Sequence, residues 1–405
     1  MSERIFVTGM GILSSVGSGP EPFIDALLAG ASGVADVTRF DTSSCRSHRA
    51  AKLENFDAAT YIAPAKLRRM DEVGRLAVAG ARLAVRDAGI DLSANGTDDI
   101  GVTLGSFTAG IHSTVEYLTG LVTEGVSGSV PLIFSNTVPN APASLCAIEL
   151  GLRGPNCTVS HKEASALGAL ALAESFLKTS RARAMLAGGA DDVEATFFRV
   201  HDRFRVLSPV NGGDEVARPF DRRRNGYVLG DGAFVLLLEQ ESSARARDAR
   251  VYGEILGTGA TASPCALNQW PRDPSQLARA MRLAIENARL LPDDVDVVLG
   301  AGNGAQVLDR LEAAAIQDVF CGRPVPVVSI KGAIGESGAA GAASIAAALL
   351  ALGKGVVPPT VGFAEADPEC PANVSSSARE ATGARSALIN AFASGGTNYS
   401  VVVRR

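Results

Sequence analysis

Short uninterrupted runs of apolar residues alternate along the chain with segments of helical periodicity. The apolar runs predict strands at RIFVTG, IGVTLGS, CTVS, RAMLAGG, GAFVLLLEQ, VYGEILGTGA, DVVLGAGN, PVVSI, SALINAFA and YSVVVRR. The periodic segments predict helices over 71–88, 162–177, 276–290, 309–320 and 338–352. Most strand runs are continuous rather than alternating, so we expect helices to cover both faces of a sheet. The pattern therefore predicts a layered α/β protein.

Composition narrows the class of protein. The 405 residues are 46% hydrophobic but only 5% aromatic, and 43 are glycine, which predicts a core of small aliphatic side chains. A net charge of −5 argues against nucleic acid or an anionic membrane as the main partner. No apolar run has the length of a membrane span and MSERIFVTGMG lacks a signal-peptide pattern, so we expect a cytoplasmic protein. The six cysteines show no CxxC spacing and the four histidines no metal-ligand spacing, so neither a metal site nor a cofactor is expected.

One short sequence occurs twice in similar form. EASALGA, from residue 163, matches ESGAAGA, from residue 336, at the Glu, at an Ala three residues later and at Gly-Ala. Each copy opens an Ala-rich helix that is followed by a strand ending in small residues. Chance similarity between Ala-rich helices explains this as well as a duplicated unit does. In a duplicated unit, the two helices would meet face to face and their N-termini would converge, which small residues allow.

The first of these helices starts with an unexpected residue. The segment GPNCTVSHKEAS leads from a turn through a short strand into the helix, and Glu163 lies where the helix begins. Free backbone N–H groups and the helix dipole at such a position favour a reactive nucleophile. Here the position holds a carboxylate.

Four motifs resemble the β-ketoacyl synthases of the thiolase fold. They are ARPFDRRRNGYVLGDGA, SIKGAIGESGAAG, GLRGPN and GGTN, and the resemblance extends from RIFVTGMGILSSVG to the C-terminus. It implies a five-layer α-β-α-β-α fold with two pseudo-repeated halves, which we place at 1–250 and 251–405. It also implies dimers and acyl chains presented by an acyl carrier protein.

The chain departs from these synthases at the groups that carry the chemistry. The resemblance places the nucleophilic cysteine at Glu163, the first histidine at Ala301 in AGNGAQVLDRLE, and the second histidine at Glu336, while Lys331 is retained. An acylated carboxylate would be a mixed anhydride, far less stable than a thioester. Neither Ala301 nor an ionised Glu336 can stabilise an enolate. Cys157 is a possible displaced nucleophile, but a small buried hydrophobic residue is the better interpretation.

A synthase-like chain that lacks these three groups resembles the ketosynthase β subunit, or chain-length factor, of type II polyketide synthases. AGNGAQVLDRLEAAAI fits that group, whereas Glu stands at 163 where aromatic-polyketide factors usually carry Gln, so both aromatic and polyene-type products stay open. The resemblance implies a non-catalytic subunit that pairs with a catalytic ketosynthase α subunit and shapes the tunnel for a carrier-bound chain. The alternatives are a priming decarboxylase, which needs the missing histidines, and a free-standing binding or regulatory homodimer or an enzyme that uses other groups.

The charged residues left in this site should lie together. Buried charges persist only when paired, so we expect Lys331 to bridge at least one of Glu163 and Glu336. The flanking His161 and Lys162 are expected to point outward or to a dimer interface.

The resemblance also identifies residues outside the triad. It implies that Ser394 stands at the former gate, the position where these synthases carry a gating phenylalanine. It also implies that the strand over 157–160 pairs with its counterpart across the dimer interface. The helix after GSFTAG carries Ile111, Thr114 and Leu118 on one face, which makes them candidates for lining the tunnel. Ile111 and Leu118 could equally be core residues of an amphipathic helix.

Overall fold

Strands and helices cover most of the chain. The computed structural model describes residues 3–93 and 96–405. The strands are β1 Ile5–Ser14, β2 Gly17–Ser18, β3 Val34–Asp36, β4 Arg49–Ala51, β5 Ile100–Gly105, β6 Asn156–Val159, β7 Ala184–Asp191, β8 Gly232–Gln240, β9 Gly253–Ala262, β10 Val297–Leu299, β11 Val327–Val328, β12 Val356–Val357, β13 Arg379–Glu380, β14 Ser386–Phe392 and β15 Thr397–Arg404. The helices are α1 Pro20–Leu28, α2 Pro64–Leu67, α3 Glu72–Ala88, α4 Ile111–Glu124, α5 Pro131–Phe134, α6 Ala141–Leu150, α7 Ser165–Lys178, α8 Ala195–Arg203, α9 Glu241–Ala246, α10 Ser275–Asn287, α11 Gln306–Val319, α12 Lys331–Ile334 and α13 Ala340–Lys354.

The strand order repeats within the main sheet. The order is β11-β10-β14-β15-β9-β1-β8-β7-β5-β6, and the two sets of strands meet where β9 pairs with β1. If the strands of each set are numbered along the chain, both sets run 3-2-4-5-1 from the outer edge to this junction. In each set the outer strands are parallel and the inner ones antiparallel. Helices α7 and α13 occupy equivalent places in the two sets, as a duplicated unit requires.

Three hydrophobic clusters define the layers. One packs α3 against the outer face of β5, β7 and β8, and another packs α10 and α11 against β10, β14 and β15. The third lies between the two sets of strands and contains α7 and α13. These layers confirm the predicted five-layer α-β-α-β-α fold. The change from one set to the other falls between Gln240 and Gly253, while the division of the chain at residue 250 stays a prediction.

The predicted elements are present with shifted ends. Each of the ten apolar runs contains a strand, and each of the five periodic segments contains a helix. The segment predicted as helical from residue 162 starts with a 3-10 turn over Lys162–Ala164, and α7 begins at Ser165. None of the helices in the described part of the chain combines the length and apolar character needed to cross a bilayer.

Helices α7 and α13 approach each other closely at their N-terminal ends. The backbone N–H of Ala166 donates to the carbonyl of Gly338 over 2.9 Å. A Cβ atom at Gly341 would lie 2.8 Å from Cγ of Leu167, so a larger residue there would push the helices apart. Every residue of α13 from Ala340 to Leu352 is buried, as expected of a helix in the central layer.

We expect Gly341→Ala to destabilise the protein although Ala favours helix formation. The added methyl group overlaps Leu167, and overpacking of this kind costs about 1–3 kcal/mol of the free energy of unfolding. Gly353→Ala is the matched control in the same helix, since its Cβ would meet only the Arg405 side chain at ordinary contact distance. Denaturant unfolding of the two variants makes the comparison. Equal stabilities would contradict the close helix contact.

Candidate functional site

Glu163 lies in the 3-10 turn between β6 and α7, and its position there follows from the sequence order strand, turn, helix. The residue is only 3% exposed. Ser394, in the turn between β14 and β15, donates to its carboxylate from the backbone N–H at 3.2 Å and from the hydroxyl at 3.1 Å. The residue at the supposed former gate thus covers the residue at the supposed nucleophile position.

The environment of Glu163 favours its protonated form. Burial raises the pKa of this carboxyl from 4.5 to about 7, and the negative charge of Glu336 adds to the increase. The positive charge of Lys162 and the hydrogen bond from Ser394 lower the pKa, but by less than burial raises it. Glu163 is therefore poised to exchange a proton near neutral pH.

Glu336 is held in a different way. Its backbone N–H donates to the carbonyl of Val228 at 2.7 Å, which fixes the turn before α13. Its Oε2 atom accepts from Lys331 Nζ at 2.8 Å and from Asn303 Nδ2 at 2.7 Å, and the residue is 1% exposed. The expected pairing of Lys331 with a buried glutamate is confirmed for Glu336. Lys331 also donates to the carbonyl of Ala301 at 2.9 Å, which joins two of the three positions to which the resemblance assigns the synthase triad.

Two carboxylates of α11 hold the loop that contains Ala301. Glu312 accepts from the backbone N–H groups of Ala301 at 2.8 Å and Gly302 at 2.7 Å, and Asp309 accepts from that of Asn303 at 2.9 Å. Burial raises the pKa of Asp309 to about 7. Both acids belong to the quoted motif LDRLE, but the sequence pattern gave them no role. The loop is held in place although Ala301 presents only a methyl group.

Tyr227 is a site residue that the sequence interpretation missed. It is buried, and its pKa is raised well above the ordinary value, first by burial and then by the negative charges of Glu163 and Glu336. Its side chain therefore lies near both carboxylates. The motif GYVLGDG contains this tyrosine, but nothing in the pattern indicated its proximity to the two carboxylates.

Little space is left beside Glu336. A cavity of about 10 Å³ lies among Phe107, Phe197, Leu229 and Glu336. The rings of Phe107 and Phe197 fill the neighbouring volume in an edge-to-face contact, with centroids 4.7 Å apart. A cavity of this volume has room for about one water molecule, which is far too little for an acyl chain.

The two flanking residues contact other parts of the chain at the outer side of the site. The Nζ atom of Lys162 donates to Ser394 Oγ at 3.2 Å and to Asn268 Oδ1. The His161 ring stacks on Tyr399, with centroids 5.9 Å apart. Cys157 lies in strand β6 and is partly exposed rather than fully buried.

The tunnel candidates lie along one side of α4. Ile111 is half-buried and packs against a cluster that includes Phe197, whereas Leu118 is 50% exposed. The hydroxyl of Thr114 donates to the carbonyl of Thr137 at 3.3 Å. A cavity of about 600 Å³ takes its α4 residues from another side of the helix, namely His112, Ser113 and Glu116.

The polar atoms of the site are largely used by one another. Lys331, Asn303 and Ser394 donate to the two glutamates, and no thiol or imidazole group stands at the three altered positions. Within the described ranges, no cluster of three or more His, Cys, Asp and Glu side chains is arranged to hold a metal ion. These contacts hold the side chains of the site in fixed positions.

The layered fold with two similar halves and this site define a chain of the condensing-enzyme type. Family descriptions of the β-ketoacyl synthase N-terminal and C-terminal domains match residues 2–244 and 252–364. The chain belongs to the β-ketoacyl synthase family.

Individual relatives agree with this assignment over nearly the full length. The tetracenomycin polyketide synthase ketoacyl synthase alpha subunit of Streptomyces glaucescens is 32% identical, over 91% of this chain and 89% of the relative. The 3-oxoacyl-[acyl-carrier-protein] synthase 2 of Staphylococcus aureus (strain COL) is 30% identical, over 100% and 99%. Among solved structures, a chain of the ishigamide ketosynthase/chain length factor superposes with a TM-score of 0.92 at 32% identity, covering 100% of this chain and 99% of the other. A β-ketoacyl synthase from Burkholderia phymatum STM815 gives 0.93 at 30% identity, with the same coverage.

We expect Glu163→Gln to change how stability depends on pH. The folded-state pKa of Glu163, about 7, is raised above the ordinary 4.5, so its stabilising contribution is present below pH 4.5 and is lost as the pH rises to about 7. Gln carries no such proton. Relative to the wild type, the variant should therefore gain about 3 kcal/mol between pH 4.5 and 8, since each pKa unit corresponds to about 1.4 kcal/mol. Urea unfolding across this range measures the difference, and parallel stability profiles would contradict it.

Proposed function

We propose that this chain is a non-catalytic ketosynthase-like subunit that pairs with a catalytic ketosynthase and shapes the tunnel for the growing polyketide chain. The observation that carries the proposal is the set of residues at the three altered positions. Glu163 is buried under Ser394, Ala301 offers no functional side chain, and Glu336 is paired with Lys331.

The chemistry of condensation explains why this set matters. The reaction needs a thiolate to hold the acyl chain and hydrogen-bond donors to stabilise the enolate of the extender unit. A carboxylate at 163 gives only an unstable anhydride. A carboxylate at 336 places negative charge where the enolate would form, and its partner Lys331 is already used. A chain of this kind depends on another subunit for the reaction.

An apolar surface supports pairing with another chain. The segment over 111–138 exposes a series of large hydrophobic side chains, and α6, which contacts β6, exposes one more. They are Val115, Leu118, Leu121, Val122, Val126, Val130, Leu132, Phe134, Val138 and Ile148. Large hydrophobic side chains exposed in such number within one stretch of the chain are typical of an interaction site.

The edge of the main sheet supports the same conclusion. Strand β6 pairs with β5 on one side, and within the described residues no strand pairs with its other side. An unpaired edge offers backbone N–H and carbonyl groups to a partner strand. We place the partner subunit there, with the strand over 157–160 at the interface.

The relatives indicate which partners fit. One solved structure that superposes on this chain is named for a ketosynthase and chain length factor, and one relative is named as an alpha subunit. Another relative is named for acyl-carrier-protein chemistry. A catalytic ketosynthase and an acyl carrier protein with the growing chain are therefore the partners we propose.

We expect the purified chain alone neither to accept an acyl group from an acyl carrier protein nor to decarboxylate malonyl-carrier protein. Intact-protein mass spectrometry reports acylation, and formation of acetyl-carrier protein reports decarboxylation. Addition of a catalytic ketosynthase from a neighbouring gene should yield a heterodimer on gel filtration and start elongation. Glu163→Cys is the matched control: it should stay inactive alone, because Ala301 and Glu336 remain. Condensation by the single chain, or a stable monomer that ignores the added ketosynthase, would contradict the proposal.

The tunnel itself is proposed to follow α4. Leu118 belongs to the apolar surface, and Ile111 and Thr114 continue the same helix face toward the interior. None of the three has an aromatic side chain, so the path along this face has more free volume than bulky residues would leave. A tunnel with this free volume favours longer or more extended polyketide products.

We expect Thr114→Phe or Leu118→Trp, in an intact heterodimer, to shorten the product while the first condensation keeps nearly its normal rate. The larger side chains fill volume without changing a reacting group. Thr119→Phe is the matched control, since it adds the same ring to an exposed position on another side of α4. Mass spectrometry of the products measures chain length. If the variants pair and still give the full-length product, these residues do not line the tunnel.

A further inference from the structure

Lys162 joins three separate parts of the chain around Glu163. Its Nζ atom donates to Ser394 Oγ at 3.2 Å and to Asn268 Oδ1. Lys162 directly precedes Glu163 in the turn, Asn268 lies in the loop between β9 and α10, and Ser394 lies in the turn between β14 and β15. We call these four residues the latch.

The hydrogen-bond direction within the latch is fixed by chemistry. The ammonium group of Lys162 can only donate, so Ser394 Oγ accepts from it. The single hydroxyl proton of Ser394 is then free to be donated to Glu163, whose oxygen lies 3.1 Å away. Lys162 therefore orients Ser394 toward Glu163 and brings a positive charge to the carboxylate through it.

The two loops of the latch are already joined through their backbones. The N–H of Gly395 donates to the carbonyl of Gln269 at 2.8 Å, and the N–H of Ser263 donates to the carbonyl of Gly396 at 2.7 Å. Lys162 adds the turn of Glu163 to this pair of loops. The three segments together cover the Glu163 carboxylate with polar groups.

Solvent lies directly outside these polar groups. Glu163 is 3% exposed, but its cover consists of residues that are themselves partly or fully exposed, namely Lys162, Ser394 and Asn268. The same outer loop also lines a groove of about 460 Å³, together with Cys265, Gln269 and Trp270. The lining of this groove does not include Lys162, Asn268 or Ser394, so the cover of Glu163 is the layer that these three side chains form, and that layer reaches the solvent.

The backbone of Lys162 is unfavourable for a lysine. Its φ is +51°, in the left-handed region that glycine and asparagine adopt more readily. An uncommon conformation of this kind persists when the surrounding contacts determine it. The contacts of Nζ with two loops are the interactions that a glycine here would lose.

From this geometry we infer that Lys162 is a positioning residue that holds the site closed on the Glu163 side, so that small molecules reach Glu163 only after the latch opens. The inference concerns this chain alone and does not depend on its pairing with a synthase. A measurement of access to Glu163 in the isolated chain therefore tests it separately from the proposed function.

Carboxyl labelling tests the latch directly. The full chain is treated with a water-soluble carbodiimide and glycine ethyl ester, and the labelling rate of each carboxylate is read from peptide mass spectra. In the wild type, Glu163 should label far more slowly than the exposed Asp36. Lys162→Met and Ser394→Ala should each raise the rate at Glu163 about tenfold, since a lost charge-assisted hydrogen bond shifts an opening equilibrium by about that factor.

Matched variants separate faster labelling of Glu163 from a general destabilisation of the fold. Lys162→Arg keeps the charge and should restore slow labelling. Lys178→Met removes another lysine near the same helix, paired with Glu174, and should leave Glu163 unchanged. The buried Glu312 and Asp309 are internal references whose labelling should stay slow in every variant. Wild-type rates in Lys162→Met, fast labelling of Glu163 in the wild type, or an equal increase at Glu312 would each overturn the inference.

Discussion

The close contact between α7 and α13 is the constraint on which the site depends. Two helices can meet this closely in the centre of the protein only when small residues face each other. The hydrogen bond from Ala166 to Gly338 joins the start of one helix to the turn before the other. The two short sequences that resemble each other therefore end up side by side. Their first residues, Glu163 and Glu336, become neighbours, and both are buried.

Two buried carboxylates so near each other need compensation, because like charges in a low-dielectric interior destabilise the fold. The two glutamates are compensated in different ways. Glu336 receives a direct ion pair from Lys331, whereas Glu163 receives hydrogen bonds from Ser394 and a positive charge only through that serine. The raised pKa of Glu163 reflects this difference. Positions that correspond in the two halves thus carry carboxylates of unequal character.

The sequence predicted the layers well because their signal is strong. Continuous apolar runs indicate strands that are covered on both faces, and runs of small residues indicate the central helices. Helix α4 was located only through resemblance, and the structure shows that its apolar side, which includes Leu118 and Val122, is exposed instead of packed in the core. The pairing of Lys331 followed from charge alone. The contacts of Lys162 with two loops did not, because they depend on the left-handed backbone at this residue, which leaves no mark in the pattern.

The loop at Ala301 shows how the fold fixes a backbone segment whose central side chain is only a methyl group. Its backbone N–H groups are buried, so they need acceptors whatever side chain the loop presents. Asp309 and Glu312 supply those acceptors, and the carbonyl of Ala301 in turn accepts from Lys331. Loss of either acid would leave buried donors unpaired and disturb the ion pair at Glu336. The scaffold residues are therefore tied to one another, while position 301 can hold a methyl group at no structural cost. Under the proposed function, a site fixed in this way, with exposed apolar side chains beside it, offers a partner subunit shape rather than reactive groups.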